Sequence, residues 1–371
     1  MSAMASASPT QPEAKFAEWY VQSSYQEFVR SEGAPMYEGS ALGDLRLLEL
    51  ADWERRGGKV AYTRLGDNET YALQIVEIPP GGSLKPEHHM YDAIMLVLAG
   101  RGVTNIWQNG EQPHTVEWQE GSLLAIPLNA WHQEFSASGT EPCRFVMGTN
   151  MAQMINHYHN FDFIFNCPYS FTDRYSASVE AFYADRATHW NLRLFETNFI
   201  ADVKTFAVDI WNEKGYRTGI SRLSMASTSL GLHILDVSEG TYATAHRHDA
   251  GAHVIVVGGE GYELLYFEGE ETPRRHPLTP YGVIAPKRNE FHQHFNTGKG
   301  SLRQLALRGV SPRYGSGRSY DPLGAAHEDP TAPGFKIAYE KEDPAIREAY
   351  YRELEKSGVE LRLPPVSQGR G

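Results

Sequence analysis

The chain has 371 residues, 41% of them apolar and 22% charged, a globular composition that excludes disordered, collagen-like and coiled-coil architectures. Thirty-four Lys and Arg against 46 Asp and Glu give a formal net charge of −12, a poor match for nucleic acid or an anionic lipid surface. At roughly 150 residues per domain the length predicts two or three domains, and the longest clean apolar run, about eight residues from Ala93 to Gly100, is short of the roughly 18 that span a bilayer.

The first ten residues, MSAMASASPT, lack a charged stretch followed by an apolar one, so no secretory signal is expected. Two cysteines, Cys143 and Cys167, need no disulfide framework and are read as free buried thiols. Together these features predict a soluble, cytoplasmic protein. Residues 14–31 carry Phe16, Trp19, Tyr20, Tyr25 and Phe28 at helical spacing, and Gly33 follows as a stop. From about residue 35 to 150 the pattern is short strands between glycine, proline and asparagine turns, among them Lys59–Leu65, Tyr71–Ile78 and Arg144–Gly148. Residues 151–204 form a linker; its segment SASVEAFYADRATHW reads as a helix, and its aromatic stretch from His157 to Tyr175 as packing between the two halves. Short strands resume between about 205 and 312, with His233–Val237 and Arg303–Arg308 as examples. In the extension 313–371, residues 343–357 make a terminal helix with Asp343 as cap and Pro344 in the first turn. The tails are expected to be mobile.

The two strand-rich regions repeat each other. Residues Gly81 to Gly102 and Gly240 to Gly261 align without a gap at an offset of 159, with six identities: Gly81/Gly240, His89/His248, Ala93/Ala252, Val97/Val256, Gly100/Gly259 and Gly102/Gly261. Each runs from polar and histidine residues into an aliphatic strand and then a glycine turn. A second pair, beginning at Gly121 and Gly282, leads through a strand and a proline to Trp131-His132 and Phe291-His292, at an offset of 160. Two matched pairs at nearly one offset predict a duplicated domain. Many short strands with such turns predict all-β sandwich or barrel domains.

Histidines inside the repeat carry the chemistry. His246 and His248 are two apart, so on a strand they share a face. His292, on a later strand, can close the triangle. Three imidazoles from one side suit a divalent metal and leave coordination positions open, as a catalytic centre requires. In the first half the matching positions are Glu87, His89 and His132, a two-histidine, one-carboxylate set. They predict either a second metal or a metal-free barrel with hydrogen-bonded polar remnants. His88 between them points away. His294 shares the face of His292 and is a candidate acid/base group beside the metal. Gln304, Ala306 and Arg308 alternate along a late strand; if they face inward, Gln304 and Arg308 can contact an anionic or carbonyl substrate. Arg247 is out of phase with the ligands and reads as a surface ion pair, and His253 as a packing or interface residue. The turn at Gly258–Gly261 is of hairpin type, with no phosphate-binding fingerprint.

These residues resemble the cupin superfamily. Gly240 followed by His246-Arg247-His248 and Gly259 is similar to the first cupin motif. The segment from Pro286 to His292 and Asn296 is similar to the second, one residue longer than usual. The common glutamate about four residues after the second histidine is replaced by Ala252. Ring-cleaving dioxygenases of the gentisate and 1-hydroxy-2-naphthoate type also lack it; they are bicupins that hold ferrous iron on three histidines, in their N-terminal cupin. Here the intact triad lies in the C-terminal half, so no substrate residues carry over.

The resemblance implies two cupin (double-stranded β-helix, jelly-roll) barrels in tandem with flanking helices. It also implies a metal-dependent oxidoreductase: an Fe(II) dioxygenase acting on a small hydroxy-aromatic or related carboxylate or carbonyl substrate and O2. Mn, Ni or Zn could replace iron in a decarboxylase, isomerase or lyase that uses the metal as a Lewis acid. A small-molecule-binding bicupin without turnover is the third reading. The expected partners are a small substrate and dioxygen, with no nucleic acid and no membrane, in a homo-oligomer.

Overall fold

The computed structural model describes residues 15, 19–20, 23–175, 179–191, 193–247, 251–309, 311, 313–314 and 336–365. Short strands dominate, arranged as two jelly-roll barrels whose larger sheets repeat one another in strand order. In the N-terminal barrel, one sheet runs through Lys59–Leu65, Ala72–Ile78, Cys143–Thr149, Ala93–Ala99 and Leu123–Ile126, and faces a smaller sheet of Trp131–Ser136, Arg101–Trp107 and His114–Gln119. In the C-terminal barrel, Thr218–Ser224, Gly231–Val237, Leu302–Arg308, His253–Gly258 and Val283–Ile284 take the same order, opposite Arg274–Leu278, Gly261–Tyr266, Phe291–Asn296 and Ala245–His246.

Register explains several of the repeated glycines. Gly100 and Gly259 turn the chain at φ +83° and +80°, which L side chains rarely adopt. A Cβ on Gly102 or Gly261 would lie 2.2 Å from the Phe135 carbonyl oxygen or 1.9 Å from that of Phe295. Both residues cross the partner strand where no side chain fits.

The barrels pack back to back. Leu73, Ile75, Ile94, Leu96 and Val146 of the first meet Leu232, Ile234, Ile255, Leu305 and Leu307 of the second in one apolar cluster. They also exchange strands. Ala41–Leu42, which precedes the first barrel, pairs with Val283–Ile284 of the second. Phe199–Ile200, which precedes the second, pairs with Leu123–Leu124 of the first. Each lead-in segment is pinned by an arginine: Arg144 Nη1 donates to the carbonyls of Leu45, Arg46 and Leu48, and Arg303 Nη1 to those of Val203, Lys204 and Phe206.

The flanking elements differ in part from expectation. Within residues 14–31 the described helix is Ser24–Ser31; Ser23 caps it by accepting from Gln26 N, and Tyr25, Phe28 and Val29 are buried in the first barrel's core. The C-terminal helix spans Pro344–Ser357, with the Asp343 carboxylate accepting from Ala345 N and Gly358 ending it in a left-handed turn. In the linker, the predicted helix is reduced to Val179–Phe182, and Thr188–Asn191 is a strand paired with Leu194–Glu196. The β-branched and aromatic run THW favours that extended form. Helices instead occupy Met151–Tyr158 and Phe161–Asn166. The aromatic stretch 157–175 does not fill the space between the halves. Phe163, Ile164, Phe165, Phe171 and Tyr175 lie on the N-terminal barrel's own core. Among the described residues no helix is long and apolar enough to cross a membrane.

Candidate metal centres

Among the described residues, each barrel has a cluster whose ligand atoms lie within 4.8 Å of one another. In the N-terminal barrel it consists of Glu87, His89 and His132, the residues read from the repeat. Glu87 and His132 are brought together by a β-bridge. The segment 87–89 is otherwise irregular rather than a strand, but His88 still points away, with Nδ1 2.8 Å from Asn129 Oδ1 and its ring on Trp131. His89 Nδ1 donates to the Tyr91 carbonyl at 2.9 Å, and its ring stacks on that of Tyr91. His132 Nδ1 donates to Glu134 Oε1 at 2.6 Å. The two Nε2 atoms lie 3.2 Å apart, and Glu87 Oε1 lies 3.9 Å from His132 Nε2. A carboxylate behind a ligating histidine is the usual device for fixing its tautomer and raising its basicity.

Charge surrounds this cluster on the side away from the histidines. Arg55 Nη1 lies 2.5 Å from Glu87 Oε2, Arg56 pairs with Glu87 Oε1, and Arg56 Nη2 reaches Glu134 at 2.6 Å. Burial alone would raise the Glu87 carboxyl pKa, but the guanidiniums of Arg56 and Arg55 outweigh it and hold the group well below the usual carboxylate range. Burial, and then His132, lower His89 to about 3, so its imidazole is neutral and able to ligate. A cleft of 440 Å³, lined by Arg55, Arg56, His88, Trp131, Phe161 and Phe165, opens onto Glu87.

In the C-terminal barrel the described cluster is His246, His292 and His294. His246 and His292 are register partners, as Glu87 and His132 are in the first barrel. His246 Nδ1 donates to the Thr244 carbonyl at 2.9 Å, His292 Nδ1 approaches the Glu290 carbonyl at 3.5 Å, and His294 Nδ1 lies 3.1 Å from Glu263 Oε2. All three rings thus direct Nδ1 outward and Nε2 toward the cluster. Burial, with Lys214 next, pushes the pKa of His246 well below that of a free imidazole. Burial, with His294 next, does the same for His292.

His294, expected beside the centre as a proton-transfer group, therefore stands within the cluster. Its counterpart in the first barrel is Glu134, which holds His132 from behind. His248 lies outside the described residues. Gln304 and Arg308 face the barrel interior, 0% and 4% exposed, in register with Leu235 and Gly231. Both amide atoms of Gln304 lack a hydrogen-bond partner among the described residues. Arg247 pairs with Glu268 and lies over the Phe291 ring at the rim. His253 is at the inter-barrel contact, where Nε2 lies 3.4 Å from the Leu65 carbonyl and the ring meets Tyr71. Sequence reasoning missed Glu134, Glu263, Arg55, Arg56 and Lys214. Only Glu134 had a signal, since it shares the strand face of His132 and aligns with His294.

Residues 74–148 match the cupin domain family. No curated protein matches the sequence. Among solved structures, the chain is similar to oxalate decarboxylase from Lactobacillus farciminis, with 10% identity and a TM-score of 0.50 over 88% of this chain and 96% of that one. It also aligns with salicylate 1,2-dioxygenase from Pseudaminobacter salicylatoxidans (14% identity, TM-score 0.46, 65% and 71%) and with vicilin from hazelnut, Corylus avellana (12%, 0.47, 84% and 94%). At 10% identity the oxalate decarboxylase match bears on the fold alone. The chain carries two jelly-roll barrels in tandem, and the segment that matches the cupin domain family lies in the first of them.

Proposed function

We propose that this two-barrel protein is a metal-dependent oxidoreductase, an Fe(II) dioxygenase that cleaves a carbon–carbon bond of a small hydroxy-aromatic or related carboxylate or carbonyl substrate in its C-terminal barrel. The observation that carries the reading is the grouping of His246, His292 and His294, whose Nδ1 atoms meet Thr244 O, Glu290 O and Glu263 and whose ligand atoms lie within 4.8 Å of one another. An all-imidazole donor set fits a divalent first-row metal and adds no negative charge to it. His246, His292 and His294 would hold the ion, joined by His248 from the sequence motif. Ferrous iron bound there supplies Lewis acidity and the redox partner that dioxygen chemistry needs.

The chain itself supplies the setting. Leu235, Val237, Val256, Leu265, Ile284 and Leu302 make the interior wall apolar and exclude water. Gln304, with no hydrogen bond among the described residues, offers an amide to a substrate carbonyl or hydroxyl. Glu263 holds a proton at His294 Nδ1. In the overall reaction one carbon–carbon bond breaks, both atoms of O2 enter the product, and the substrate provides the electrons. The N-terminal cluster is a second metal site of the two-histidine, one-carboxylate type.

The test is oxygen uptake by protein reconstituted anaerobically with Fe(II), against a panel of hydroxy-aromatic acids. Uptake is expected with wild type and not with His292→Ala. Turnover without oxygen consumption would replace this reading by a lyase or decarboxylase. No metal retained at wild-type His246 and His292 would remove the enzyme altogether.

A further inference from the structure

The segment that delivers His246 is held from outside its own barrel. Only Ala245–His246 of residues 240–246 is a strand, and the C-terminal extension touches the segment along its length. Lys336 and Ile337 pair with His246 and Ala245. Tyr339 Oη donates to the Tyr242 carbonyl, Tyr350 Oη to that of Thr241 at 2.9 Å, and Arg362 N to that of Gly240 at 2.9 Å. Tyr350 Oη also lies 2.7 Å from the carbonyl of Asn296, two residues past His294.

Glu342, also in the extension, joins this segment to the strand of the other two ligands. Its carboxylate accepts from Tyr242 Oη at 2.5 Å and from Gln293 Nε2 at 2.6 Å, and both donor residues are fully buried. Gln293 stands between His292 and His294. Tyr350, Leu354, Val359 and Leu363 of the extension pack on Tyr242, Tyr262 and Phe295, and this apolar cover keeps water from competing for the bonds. The N-terminal barrel lacks the arrangement. Gln133, the counterpart of Gln293, donates to the Leu84 carbonyl of its own barrel at 2.8 Å. Ser83 bridges to Phe135 as Tyr242 does to Phe295, so a serine stands where the second barrel has its tyrosine. Glu87 is gripped by Arg55 and Arg56. The first barrel thus secures its ligand segments by itself, and the second does so through chain that follows it.

We propose that the C-terminal extension clamps the C-terminal centre, with Glu342 as the positioning residue that fixes the segment of His246 against the strand of His292 and His294, and that this barrel's hold on a divalent cation depends on it. Ligands must be held to within about 0.5 Å of their working geometry. The two strands pair only at His246 and His292, so the contact needs support from behind. Groups that brace metal ligands commonly change affinity by about 10- to 100-fold. The inference rests on the C-terminal cluster being a metal centre, as in the proposed function, but neither on the identity of the ion nor on the reaction.

The experiment titrates Co(II) into the full-length chain, with His89→Ala throughout so that the C-terminal centre is read alone. Glu342→Ala is expected to weaken Co(II) binding at least about tenfold, and Glu342→Gln, which keeps one acceptor oxygen, by less. Tyr350→Phe removes a hydroxyl from the same extension but leaves both bonds of Glu342; it should lower the urea midpoint and leave Co(II) affinity near that of the parent. Amide exchange of the metal-free chains, read by mass spectrometry, should accelerate in Glu342→Ala over residues 240–246 and 291–296 and not over 81–87 and 131–136. Should alanine prevent folding, Glu342→Gln carries both measurements. Unchanged Co(II) affinity in the Glu342 variants, an equal loss in Tyr350→Phe, or exchange that does not separate the two barrels overturns the proposal. A parent that binds no Co(II) in this barrel counts instead against the proposed function, and the exchange pattern then decides the clamp by itself.

Discussion

The Nε2 atoms of His89 and His132 lie 3.2 Å apart, while each Nδ1 is already bonded, one to a carbonyl and the other to the Glu134 carboxylate. Two imidazoles held this way turn both Nε2 atoms toward one point, where a cation could be bound by both. Stripping divalent metal with a chelator is therefore expected to lower the melting temperature, and restoring it to reverse the change. Glu134→Gln should weaken metal binding by the N-terminal barrel about 10- to 100-fold without altering the C-terminal one. Calorimetric titration of the variant resolves the two sites. Equal affinity at both in wild type and variant would refute the role given to Glu134.

Glu87 is held by two guanidiniums as well as facing the histidines. Glu87→Gln leaves Arg56, 2% exposed on its side chain, with a buried charge that only Glu134 still balances. Removing one partner of a buried ion pair typically costs about 3–5 kcal/mol. Urea unfolding of the metal-free protein should reveal a loss of that order.

Arg144 and Arg303 perform the same task in the two barrels, each gathering three carbonyls of a lead-in segment and one carboxylate, Glu77 or Asp236. Alanine at either position leaves those acceptors without their donor and should lower stability by about 2–4 kcal/mol. The sites share no partner, so the double variant should show nearly the sum. Denaturant midpoints at constant slope provide the measurement.

His253 connects pH to the contact between barrels. Burial, opposed weakly by its bond to the Leu65 carbonyl, brings its pKa to about 4 from an ordinary 6.5. The folded protein then binds fewer protons than the unfolded chain between these values. The contribution of His253 is thus complete above pH 6.5 and is lost as pH falls toward 4, by about 3 kcal/mol in all. His253→Phe should flatten that part of the stability profile, read from unfolding midpoints at stepped pH. A profile with unchanged slope would show that the acid sensitivity arises elsewhere.

Much of the fold was legible before any coordinates. Short runs between glycine, proline and asparagine turns placed Lys59–Leu65 on its strand, and found the core of Ala72–Ile78, Gly231–Val237 and Leu302–Arg308 to within two residues at each end. The offset of about 160 paired Glu87 with His246 and His132 with His292, and the β-bridges join those same pairs. The linker was less legible. The segment 176–190 is rich in helix formers, yet Thr188–Asn191 is recruited to a sheet edge by a strand that propensity does not reveal.

Periodicity and repetition are local properties: a two-residue alternation specifies which face a side chain takes, and a duplicated pattern specifies that two regions share a layout. Those determined the pair of barrels and most of the ligand candidates. Which charges stand around the ligands depended on contacts between residues far apart in the chain. Arg55 and Arg56 reach Glu87 from a hairpin about thirty residues upstream, Glu263 reaches His294 from a neighbouring strand, and Lys214 enters from a turn outside both motifs. Electrostatic partnership follows distance through space, and only the folding of strands onto one another establishes that distance.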